Sequence, residues 1–124
     1  MSDLTLKPLS TPEDGGEYPL ATAEVATVDG SEVWRMTFEP GWRWKEHFRP
    51  IEGTESCLED HRVWIMLSGR LGVRMDDGTT AEFGPHDVGR IPPGHDAWVV
   101  GDEPVEAIEV TKGARGANHQ TEHS

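Results

Sequence analysis

The stretch VWIMLSGRLGVRMDDGTTAEFGPHDVGRIPPGHDAW, Val63 to Trp98, decides the fold of this chain. It is a series of short apolar runs broken by Ser68-Gly69, Asp76-Asp77-Gly78, Gly84-Pro85 and Pro92-Pro93-Gly94. Runs this short, rich in β-branched and aromatic residues and bounded by Gly, Pro and Asp, read as strands. Gly69 and Gly78 sit where tight hairpins need a positive φ. Pro92 and Pro93 lack the N–H of a ladder donor and belong at a strand end, and Gly94 lets the chain swing back into the next strand.

The same signals continue outward. "HRVWIML" (61–67) is apolar on both faces, as a central strand covered on both sides would be. "ATAEVATV" (21–28) runs into Asp29-Gly30, a hairpin pair, and "EVWRMTFE" (32–39) places Trp34, Met36 and Phe38 on one face. "WRWKEHF" (42–48) reads as a further strand, with Trp42 and Trp44 on one face and Arg43, Lys45 and His47 on the other; Pro50 to Ser56 reads as a loop. "AWVV" (97–100) turns at Gly101-Asp102, and "VEAIEV" (105–110) closes the set. Many short strands and no capped helical period imply an all-β sandwich or barrel.

With 124 residues the chain is expected to form one domain. Residues 1–17 read as an arm, 18–111 as the barrel, and 112–124, which includes His119 and His123, as a polar flexible tail that holds no site. The net charge of −12 and the lack of a Lys/Arg cluster argue against a nucleic-acid partner. One cysteine, Cys57, rules out a disulfide framework within the chain. No apolar run matches a leader or a membrane span, so a soluble, cytoplasmic protein without a membrane partner is the expectation.

The order strand, glycine turn, strand, Asp-Gly hairpin, strand, "GP-x-D", strand, "PPG" across Val63–Trp98 resembles the cupin superfamily, over about Trp34 to Glu109. The resemblance implies a double-stranded β-helix, the antiparallel cupin jelly-roll barrel, often paired as a homodimer. Many cupins hold a divalent metal on histidines and a glutamate from two motifs, G-x5-H-x-H-x3,4-E-x6-G and G-x5-P-x-G-x2-H-x3-N. Imidazole and carboxylate suit Fe, Mn, Ni and Zn. This chain departs from both motifs. Anchored at Gly41, the first puts His47 on a ligand position and Arg49 on the next. Anchored at Gly69, it puts Arg62 on the glutamate position, with His61 one residue away. An odd slip sends His61 to the wrong face unless a β-bulge restores it. In the second motif the histidine position is Ala97, and His95 lies two residues earlier, an even slip that keeps the face.

The candidate metal ligands are therefore His61, His47 and His95, with a divalent transition metal (Fe, Mn, Ni or Zn) implied by the resemblance. Glu59 shares strand parity with His61 and Cys57, so these three could line one face; Cys57 is read as packing, a soft-metal ligand or, more weakly, a nucleophile. Trp44 and Trp98 flank the expected barrel opening and suit a flat or apolar small molecule. Arg49 and Arg62, turned inward, would repel a cation and attract a carboxylate or phosphate. Two functions follow. One is a metal-binding cupin acting on or binding a small molecule. The other is a metal-free cupin that binds or senses a small anionic or aromatic metabolite; a metal-free isomerase with a histidine base is a minor third.

Overall fold

Turn chemistry sets the strand boundaries. In the computed structural model Asp29 and Gly30 both take positive φ (51° and 82°), the geometry of a two-residue hairpin whose twist matches its strands. This hairpin joins β2 (Ala21–Val28) to β3 (Ser31–Phe38) in full register, Val28 opposite Ser31 and Ala21 opposite Phe38. The other strands are β1 (Glu17–Tyr18), β4 (His61–Ser68), β5 (Leu71–Met75), β6 (Thr80–Phe83), β7 (Val88–Ile91), β8 (His95–Val99) and β9 (Val105–Lys112). The structure describes residues 4–13 and 15–112; His119 and His123 lie outside them.

All pairings are antiparallel. One sheet has the order β1-β2-β3-β9-β4-β7 and the other β6-β5-β8. The insertion of β9 between β3 and β4 is the crossover that makes a jelly roll rather than a meander. The sheets face each other across one core and do not close into a continuous ladder. Phe38, Trp64, Met66, Val105 and Ala107 from the first sheet meet Leu71, Val73, Ala97 and Val99 from the second. The ladder of β8 is extended only by single bridges, Arg43 opposite Trp98 and Cys57 opposite His95. Gly72 is required by close approach: a Cβ there would lie 2.4 Å from the Trp98 ring of the neighbouring strand.

Two expectations need correction. First, Trp42–Phe48 is not a strand. After the Arg43 bridge the chain winds through one π-type turn, Trp44–Phe48, and a short helix α1, Arg49–Glu52. Pro50 is suited to the first turn of α1, and Gly53 ends it in the left-handed region (φ 80°). Second, β4 is covered on one face only. Trp64 and Met66 are buried, whereas Val63 and Leu67 are about two-fifths exposed. The N-terminal segment is tied to the sheet at one point, where Ser10 exchanges both backbone hydrogen bonds with Val25 on β2 (3.0 and 2.8 Å).

Candidate metal centre

The space between the sheets contains a cavity of about 360 Å³. Its wall is mostly aromatic and aliphatic, with Phe38, Trp42, Trp44, Trp64 and Leu71 among its members. The polar exceptions are Cys57, His61 and His95, which gather together, and Tyr18, Glu52 and Glu59.

Each of the three gathered side chains is brought there by a local device. His61 opens β4, where the register to β7 shifts between His61 and Trp64. Two residues, Arg62 and Val63, thus oppose one on β7, and the extra residue returns His61 to the same inner side as Trp64 and Met66. His95 opens β8, with Ala97 and Val99 on the same inward parity. Cys57 is held by the His95 bridge: its N–H donates to the His95 carbonyl (2.7 Å), and its carbonyl accepts from Gly94 N–H (2.7 Å). One donor atom from each of Cys57, His61 and His95 lies within 4.8 Å of the other two. A tetrahedral ion bound at roughly 2.0–2.3 Å sets its ligand atoms about 3.3–3.8 Å apart, so small side-chain shifts would bring these three donors onto one ion.

The imidazoles are oriented for such a role. His95 Nδ1 lies 2.8 Å from the Pro92 carbonyl, which can only accept, so Nδ1 carries the proton and Nε2 keeps its lone pair. His61 Nδ1 lies 2.7 Å from Glu109 Oε2, itself almost fully buried. With that carboxylate ionised, Nδ1–H donates and the His61 Nε2 is again the free donor atom. Binding one ring nitrogen to a carboxylate or carbonyl fixes the tautomer and orientation of a metal-ligating histidine. Burial, reinforced by the neighbouring His61, pushes the His95 imidazole down to about 4, against the pull of the Pro92 carbonyl, so the ring is neutral near pH 7. A neutral imidazole is the form that binds metal. The donor set of this chain therefore fits a transition metal.

The other residues singled out in the sequence lie elsewhere, except Trp44 and Glu59. Trp44 is buried and lines the cavity. His47 lies in the π-type turn, its Nδ1 3.1 Å from Arg43 N and 3.2 Å from Arg43 O, outside the Cys-His-His group. Arg49, on α1, pairs with Glu55, and Arg62, on the outward side of the bulge, pairs with Asp60. Neither lines the cavity; the departure from strand geometry turns both to the surface. Trp98 faces away from the cavity, over Gly72 and under the Arg43 guanidinium, 5.1 Å from its ring centre. Glu59 does reach the cavity wall but is not one of the grouped donors. Glu109 was missed. Its signal was the alternation of VEAIEV, which puts Glu109 on the face of Val105 and Ala107.

With this geometry in place, comparison with known proteins identifies the fold. A cupin 2 conserved barrel domain protein from Salinispora arenicola aligns over 95% of this chain and 96% of its own at 20% identity, with a TM-score of 0.60. A cupin superfamily protein from Desulfitobacterium hafniense aligns over 76% and 78% at 16% identity, TM-score 0.51. Oxalate decarboxylase from Bacillus subtilis aligns over 79% of this chain at 23% identity, TM-score 0.56, and the match spans 27% of that longer chain. No protein-family model and no curated protein matches the sequence. The chain has the fold of a small cupin domain.

Proposed function

We propose that Cys57, His61 and His95 hold one divalent transition-metal ion, and that a small molecule meets that ion in the adjoining cavity. The observation that carries this reading is the convergence of three buried donors whose two histidines are each tied back through Nδ1. One thiolate and two imidazoles favour Zn, Fe or Ni over the harder Mn. Three protein ligands leave a coordination position open, as in catalytic rather than structural zinc sites. A bound ion would serve there as a Lewis acid toward an oxygen atom of the small molecule. The chain's own part is to orient the donors, to supply the Glu109 carboxylate behind His61 and to keep the site dry.

The compartment proposed is the cytoplasm, where Cys57 stays reduced. No helix among the described residues is long and apolar enough to cross a membrane. The oligomer proposed is a homodimer formed through the outer side of β4 and β7. A metal-free binding module is the second reading, favoured by the apolar, tryptophan-rich wall. Dialysis of the full, untagged chain against Zn²⁺, followed by elemental analysis, separates the two. The first reading expects one zinc per chain, lost in His61→Ala. Zinc content that is nil, or unchanged in the variant, contradicts it.

A further inference from the structure

His61 faces the cavity only because β4 carries a β-bulge, and one ion-pair cluster sits at that bulge. In a regular strand, residues three apart fall on opposite faces. His61 and Trp64 nevertheless share the inner side, their rings in edge contact with centres 5.1 Å apart. The register explains this. His61 pairs with Ile91 and Trp64 with Gly89, so Arg62 and Val63 stand opposite the single residue Arg90. The Arg90 side chain reaches back across the strand pair: its Nε and Nη2 donate to the two carboxylate oxygens of Asp60, each at 3.0 Å. Arg62 Nη1 donates to the same carboxylate at 3.4 Å. Asp60, the residue before His61, thus holds a residue inside the bulge and the residue that faces it. An isolated surface ion pair contributes little. This one is a two-bond fork, which fixes orientation as well as distance, and the Asp60 side chain is only 24% exposed.

Losing the extra residue would shift the pairing by one and turn His61 to the outer face. Glu109 orients the His61 ring, but only after the backbone has delivered it to the inner side. We infer that Asp60 and Arg90, joined by Arg62, are positioning residues for the metal centre: they pin the bulge that turns His61 toward Cys57 and His95. As a statement about metal binding, this rests on the ligand set proposed above. It also gives Arg62 an outward, bracing task in place of the anion contact expected from the sequence.

The test reads the bulge and the metal separately. In the chelator-treated full chain, a nuclear Overhauser cross-peak between the His61 and Trp64 rings reports the bulge, because a regular strand would part the two rings. Arg90→Glu sets two carboxylates against each other at the bulge and is expected to reduce that cross-peak severalfold. Zinc affinity is expected to fall about tenfold in the same variant, although its added negative charge would by attraction alone tighten zinc binding. Arg70→Glu makes the same change of charge at the exposed Arg70–Glu82 pair and is expected to leave both readouts unchanged. Adding Asp60→Lys to Arg90→Glu restores opposite charges and is expected to recover most of the cross-peak. A wild-type chain without the cross-peak, an Arg90→Glu chain that keeps it in full, an equal loss in Arg70→Glu, or no recovery in the double variant overturns the inference. Loss of the cross-peak in Arg90→Glu, with a wild-type chain that takes up no zinc, removes the metal reading alone. Zinc uptake with an unmoved cross-peak removes the positioning role alone.

Discussion

Glu109 carries more of the site than any residue singled out in the sequence apart from the two histidines. A buried carboxylate 2.7 Å from His61 Nδ1 holds that ring in one orientation and raises the basicity of its other nitrogen. Glu109→Gln keeps the shape and loses the charge; metal affinity is expected to fall by roughly 10–100-fold with the β-sheet spectrum unchanged, as read by competition with a chromophoric chelator. His95 gives a pH signature in the metal-free protein. Its folded value is about 4 against an ordinary value of 6.5. Between those limits the unfolded chain binds a proton that the folded chain refuses, so stability rises with pH across that window. Acidifying from neutral pH through that window is expected to cost roughly 3 kcal/mol from this group, and His95→Gln should flatten that part of a urea-unfolding series. His95 was legible because an even slip keeps strand parity. His61 was legible only on condition of a bulge, since nothing in Arg62-Val63 announces one. Glu109 was passed over because alternation alone does not say which face of β9 is inner, and an acid is ordinarily assigned to water.

The element that the sequence misread is the segment after Gly41. Trp-x-Trp alternation suits a strand, and the two indoles are indeed buried together. The helix signals, Pro50 and Gly53, bracket too few residues to produce a period. What bends the chain is long-range: Asp96 on β8, buried to 4% exposure, accepts from Lys45 N–H (3.1 Å) and from Arg43 Nε (2.8 Å). A contact across 51 residues leaves no mark in the local pattern. The turn it holds carries Trp44 into the cavity wall and Phe48 against Trp42, with ring centres 5.1 Å apart. Asp96→Ala is expected to destabilise the fold by about 1–3 kcal/mol, from the loss of these bonds and the stranding of a partly buried N–H. It should also shift the tryptophan emission; an unchanged unfolding midpoint would show that the turn stands without Asp96.

At the scale of the whole molecule, the two-sheet architecture was readable because its punctuation is local: Asp29-Gly30, Ser68-Gly69 and Asp76-Asp77-Gly78 each end a strand. The pairing order was not, since placing β9 between β3 and β4 depends on contacts distant in sequence. The same sheet exposes Val63, Leu67 and Val88 on β4 and the edge strand β7, with Val88 65% exposed. An apolar group at a sheet edge is a surface that a second copy can cover. Light scattering on the full chain is expected to give the mass of a dimer, and Val88→Lys a monomer; a monomeric wild type removes the dimer proposal. The central claim remains that Cys57, His61 and His95 close on one ion. Titration with Co²⁺ tests it most directly, because a thiolate bound to cobalt produces a near-ultraviolet charge-transfer band. The account expects that band to saturate at one Co²⁺ per chain and to vanish in Cys57→Ser, whereas a wild-type chain with no such band, or a band that survives in Cys57→Ser, would contradict it.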